Sequence, residues 1–207
     1  RQKYCDCSSE RIMTVSGCQL IFVFVCATVV VQAQRPAFGR CPTVSPKEDF
    51  DVNQFVGDWT EIERSFYFFE SSLSCTRLNF TLFDNDTMKA EVTYRTPWRG
   101  QTSLSRYQVK DVSTKPGELN MVLDGTLPSV IARMAPGSGK YIVLDTDYTD
   151  YALIYSCTDL RLVHADFIWV LGRGNDISVD ARTVVYSTLD KSKINRDRLL
   201  LTNNKDC

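Results

Sequence analysis

Between residues 57 and 173 the chain alternates apolar and polar side chains in short runs separated by turn chemistry. The clearest pair is LNFTLF at 78–83 and MKAEVTYR at 88–95, with DND between them. In the second run Ala90, Val92 and Tyr94 alternate with Lys89, Glu91 and Thr93. A period of two sends neighbouring side chains to opposite faces of a strand, so the pair reads as a hairpin. The pattern recurs at 105–112, 118–125, 140–147, 150–157 and 165–173, with KPG and APGSGK as breaks. With a strand opening at Trp59 this makes eight antiparallel strands without crossover helices. Such a set either closes into a barrel with room for a small ligand or stacks as a two-sheet sandwich.

One convincing helix follows, at 178–192, where Val184, Val185 and Leu189 can form an apolar stripe and Ser178 a cap. A short strand at 198–202 leads to Cys207. The first strand is less regular. In QFVGDWTEIERS (54–65) a glycine stands two residues before a tryptophan, and the run after Trp59 carries too many charges for a buried central strand. An indole is costly to leave in water, so something must cover it.

Residues 20–31 form an unbroken apolar run, too short for a comfortable membrane span, and end in the small-x-small pattern Val31-Gln32-Ala33. Residues 13–33 therefore read as a secretory signal, residues 1–12 as a translated or non-native leader, and 34–207 as the mature domain. Removing residues 1–33 takes three basic and two acidic groups from 24 and 25, leaving 21 and 23. That balance offers no basic field for nucleic acid, and no second apolar run suggests an integral membrane span. Of eight cysteines, Cys5, Cys7, Cys18 and Cys26 precede the expected cleavage, while Cys41, Cys75, Cys157 and Cys207 remain. Four in a secreted chain imply two disulfides with three possible pairings. No metal is expected, because there is no CxxC pair and the only histidine is His164.

Three motifs now stand in order: Gly57-Asp58-Trp59, Thr146-Asp147-Tyr148, and Arg173 at the end of the eighth strand. With the strand pattern between them, the chain resembles a lipocalin, an eight-stranded up-and-down β-barrel with one C-terminal helix. Within that family it is most similar to the apolipoprotein D, Lazarillo and bilin-binding subgroup. The likeness runs over about residues 41–207 and is carried by GDWTEIERS, CTRLNFTLFDN, LDTDYTDYALIYSC and HADFIWVLGR. The resemblance implies that Trp59 plugs the closed end of the barrel with Arg173 packed across it. It also implies the disulfides Cys41–Cys157 and Cys75–Cys207. The extra cysteine that apolipoprotein D carries just after the YSC segment is Asp159 here, so no odd thiol is expected.

Two glycosylation sequons begin at Asn79 and Asn85. If Asn79 faces outward, then Leu78, Phe80 and Leu82 face inward, and the same reasoning turns Val92 and Tyr94 inward. Phe167, Trp169 and Leu171 share a face, and Trp169 matches the family's pocket tryptophan. An apolar cavity with hydroxyls from Tyr94 or Tyr107 suits a fatty acid, sterol, retinoid or bilin. The reading is a secreted carrier in lipid handling or oxidative-stress protection, needing no cofactor and leaving room for a cell-surface receptor or membrane contact. The alternative is a secreted protein-binding or mediator-scavenging lipocalin acting through loops such as 97–100. Catalysis is not expected, since every mature cysteine is paired and His164 beside Asp166 reads as a polar surface pair. Met134 reads as a rim methionine, with hydroperoxide reduction as its less favoured role.

Overall fold

The computed structural model describes residues 37–65, 72–83, 87–96, 100–133, 135, 137–205 and 207. The leader, the segment 13–33, Asn85, Met134 and most of the loop 97–100 lie outside the described residues. In chain order the strands are β1 (Ala37–Phe38), β2 (Gly57–Ser65), β3 (Ser74–Leu82), β4 (Thr87–Arg95), β5 (Thr102–Lys110), β6 (Glu118–Leu123), β7 (Gly139–Thr146), β8 (Tyr151–Asp159), β9 (Val163–Gly172) and β10 (Leu199–Leu201). The helices are α1 (Val52–Phe55), α2 (Ser129–Ala132) and α3 (Val179–Lys191).

Strands β2 to β9 pair antiparallel in sequence order, and β2 also pairs with β9, which closes an eight-stranded barrel. Closure removes the exposed edges that an open sheet would present. Apolar side chains of the inner faces form one core around Phe55, Trp59, Phe80, Val109 and Leu119. A second core lies outside the wall, where Ile62, Leu153, Tyr155, Ile168 and Val170 meet Ala181, Val185 and Leu189 of α3.

Helix α3 forms because its apolar positions recur at helical spacing and Ser178 Oγ accepts from Ala181 N–H at 3.1 Å. The stripe it buries is Ala181, Val185 and Leu189, spaced by four residues. Val184 is 41% exposed and belongs to the outer face, which corrects its expected place in the stripe.

The larger correction concerns β2. Every residue from Trp59 to Ser65 is buried, charges included. Alternation fails here because a bulge between Glu61 and Glu63 interrupts the pairing with β9, while α3 covers the outer face. The bulge sends Ile62 and Glu63 outward together under α3, where Glu63 is held by Arg182 and by the Tyr186 hydroxyl at 3.1 Å. It then returns Arg64 to the inner face beside Glu61.

The C-terminal tail takes up the edge of β2 that β3 leaves. β3 pairs with β2 only over 57–60, whereas Leu199, Leu200 and Leu201 pair with Ser65, Arg64 and Glu63. Thr202 N–H then donates to Ile62 O and Cys75 N–H to Asn203 O, and the Cys75–Cys207 disulfide ties the end of the tail to β3. The second disulfide, Cys41–Cys157, ties the N-terminal segment to β8.

Candidate functional site

The floor of the barrel is built from the motif residues. Gly57 has φ of 100°, and a Cβ there would lie 3.2 Å from Arg173 Nη1, so both backbone and space call for glycine. Trp59 is 1% exposed, and its indole N–H donates to Phe55 O at 2.8 Å. Phe55 lies between Trp59 and Phe80, with centroid distances of 5.4 and 5.1 Å. The Arg173 guanidinium carbon stands 3.7 Å from the centroid of the Trp59 ring. Its nitrogens donate to the carbonyls of Tyr148, Asp58, Gln54 and Val56 at 2.9–3.0 Å. One side chain thus stacks on the indole and satisfies carbonyls of the α1–β2 turn. Asp147 closes the β7–β8 turn by accepting from the backbone N–H of Thr149, Asp150 and Tyr151. Burial pushes its carboxyl up, but those N–H groups outweigh burial and hold it below its usual value. Thr146 Oγ1 donates to Tyr151 O at 2.6 Å.

Above this floor the barrel holds a cavity of about 520 Å³, within the size range of small-molecule sites. Leu78, Phe80, Val92, Tyr94, Tyr107 and Trp169 line it, together with Leu119, Met121, Leu123, Tyr141, Ile154 and Leu171. Two expected residues are not in the wall. Leu82 packs against the core around the closed end, and Phe167 lies one inward position beyond Trp169 with its ring centroid 6.0 Å away. Gly137, with φ of 81°, lies so close to the Tyr107 ring that a Cβ would collide with it. Tyr141 donates to Gly137 O at 3.0 Å, and Ser138 Oγ donates to Ala132 O at 2.7 Å, which fastens the β6–β7 connection beside the cavity.

The wall also carries polar residues that the sequence pattern did not reveal. Glu61 Oε1 accepts from Arg64 Nη1 at 2.5 Å and from Thr202 Oγ1 at 2.7 Å. The two side chains are 3% and 8% exposed. Arg64 also donates to Leu73 O at 3.0 Å. Burial pushes the Glu61 carboxyl up, while the Arg64 charge and the Thr202 hydroxyl favour its ionised form. Beside them Thr76 is 6% exposed, and its hydroxyl has no hydrogen-bond partner among the described residues. On a regular strand Glu61 and Arg64 would face opposite ways, so only the bulge could have revealed the pair.

His164 and Asp166 are buried rather than exposed, which corrects the surface reading. Asp166 takes a two-pronged contact from Arg198 at 2.7 and 2.8 Å and a bond from the Tyr155 hydroxyl. His164 Nδ1 lies 3.1 Å from Gly39 O. Both are covered on the outside of the barrel, and the pair ties chain segments together. Asn79 is half-buried, with its amide donating to Asp58 at 2.7 Å and accepting from Thr81 at 2.9 Å. Among the described residues no group of three potential ligands could hold a metal, and no helix is long and apolar enough to cross a membrane.

A family model described as Lipocalin / cytosolic fatty-acid binding protein family matches residues 56–206. Apolipoprotein D of Cavia porcellus is 31% identical over 194 residues, covering 92% of this chain and 97% of the relative. Bilin-binding protein of Pieris brassicae is 25% identical over 165 residues, covering 75% and 79%. Among solved structures, insecticyanin of Manduca sexta superposes with a TM-score of 0.70 at 21% identity, covering 83% of this chain and 91% of that one. That likeness bears on the barrel and its helix alone. With the floor, the closed barrel and these matches together, the chain belongs to the lipocalin / cytosolic fatty-acid binding protein family.

Proposed function

We propose that the protein is a secreted carrier that holds one small hydrophobic molecule in the barrel cavity, in the service of lipid handling or protection from oxidation. The observation that carries the reading is a cavity of about 520 Å³ with a mostly apolar, aromatic-rich wall above a sealed floor. Burial of apolar ligand surface at about 25 cal/mol per Å² supports micromolar or tighter binding. The two disulfides agree with an oxidising, extracellular setting. Names among its relatives point the same way, since one is a bilin-binding protein. The protein is a binding protein rather than an enzyme, as its family membership indicates.

Titration with a panel of fatty acid, sterol, retinoid and bilin tests this. At least one class should quench tryptophan fluorescence and saturate at one equivalent, and Trp169→Ala should weaken its binding at least about tenfold, about 1.4 kcal/mol, in equilibrium dialysis. If no class binds, or if binding is indifferent to Trp169→Ala, the cavity is not the carrier site.

A further inference from the structure

One side of the cavity wall, on β2 and β3, carries an ion pair and a buried hydroxyl where most of the rest is apolar or aromatic. Glu61 is the next inward position after Trp59 on β2, and Arg64 reaches Leu73 O of the β2–β3 connection, so the Glu61–Arg64 pair and Thr76 occupy the β2–β3 side of the wall between the floor and that connection. Among the described residues of the wall, Glu61 and Arg64 are the acidic and basic groups, and each neutralises the other at 2.5 Å. A ligand therefore meets a region that is polar and without net charge.

From this we propose that the cavity selects a neutral amphiphile, with a hydroxyl or carbonyl seated against Glu61, Arg64 and Thr76, and that it discriminates against a carboxylate there. This rests on the carrier reading and narrows its ligand class. An ionised carboxylate has acceptors only, so beside Glu61 it would place a second negative charge in a low-dielectric wall whose cation is already engaged. A hydroxyl has both roles. It can donate to the Glu61 carboxylate, where Arg64 and Thr202 both bond Oε1, and accept from Thr76. A carbonyl accepts from Thr76 without adding charge. The Thr76 hydroxyl is the independent mark of such a guest, because a hydroxyl buried to 6% exposure with no partner among the described residues is unusual in a folded protein.

The test compares two ligands that share one tail, all-trans retinol and retinoic acid, on the oxidised chain at about pH 8, where the acid is ionised. Retinol should bind at least about tenfold more tightly. Glu61→Gln, which leaves the Arg64 charge uncompensated, should raise retinoic acid affinity and reduce or reverse that ratio. Thr76→Val should weaken retinol about 2- to 10-fold, the worth of one hydrogen bond, and leave retinoic acid unchanged. This second variant carries the test whether or not Glu61→Gln folds. Equal affinity for the two ligands, or a ratio that Thr76→Val does not change, overturns the inference and leaves the carrier reading standing. Failure of both retinoids, and of a matched fatty alcohol and fatty acid, overturns both.

Discussion

Trp59 and Arg173 share one task, sealing the end of a barrel whose strands must splay around a cavity. The indole supplies apolar bulk and one N–H, and the guanidinium supplies a flat cation with donors for the carbonyls of the α1–β2 turn. Lysine could bring the charge but neither the flat stack nor the fork of donors. Trp59→Ala should cost about 3–5 kcal/mol in denaturant unfolding, the usual cost of truncating a core aromatic. A loss below about 1 kcal/mol, within the range of surface changes, would mean that Trp59 does not hold the floor. Glu61 and Arg64 show a different use of buried polarity. Replacing such a pair with apolar residues is often neutral for stability, so its place in a ligand wall points to selectivity more than to folding.

Among the elements, the β7–β8 turn and β2 show how local chemistry sets the frame. Asp147 gathers three backbone N–H groups, and its folded carboxyl titrates below the usual value. A depressed folded pKa means that its stabilising contribution is complete above the unfolded value of about 3.9 and disappears as pH falls through the folded one. Asp147→Asn should therefore lower stability at neutral pH and flatten the loss of stability between about pH 5 and pH 2, measured by urea unfolding across that range. An unchanged slope would contradict the account. Glu61 works in the opposite sense, since burial raises its carboxyl, and acid through its folded pKa favours the folded state. The strands were legible because alternation survives in β4 to β9, and Arg173 and Trp59 could be placed because their motifs sit at strand ends. The bulge in β2 was not legible. It breaks the period of two over a single residue and puts one charge pair inside and Glu63 outside, where α3 covers it. Val184 was misplaced for a related reason, since 3.6-residue spacing leaves adjacent valines on either side of the helix–barrel boundary and packing decides between them.

At the scale of the whole molecule, two cores divide the work. The outer one, between α3 and the barrel wall, packs without needing the interior, which leaves the inner faces of the strands able to surround a guest. The two disulfides bind the segment before α1 to β8 and the C-terminal tail to β3, and the tail held by Cys75–Cys207 delivers Thr202 to Glu61. Family membership accounts for the frame. The composition of the cavity wall decides the cargo, and its residues come from all eight barrel strands and from three of the connections between them, which is why only part of it could be read along the chain. The most direct measurement is mass spectrometry of organic extracts from residues 34–207 secreted by eukaryotic cells and kept oxidised. The account predicts one enriched hydrophobic compound at near-equimolar amount, neutral and bearing a hydroxyl or carbonyl. An extract holding no enriched compound, from a protein that also binds none of the panel, would contradict it.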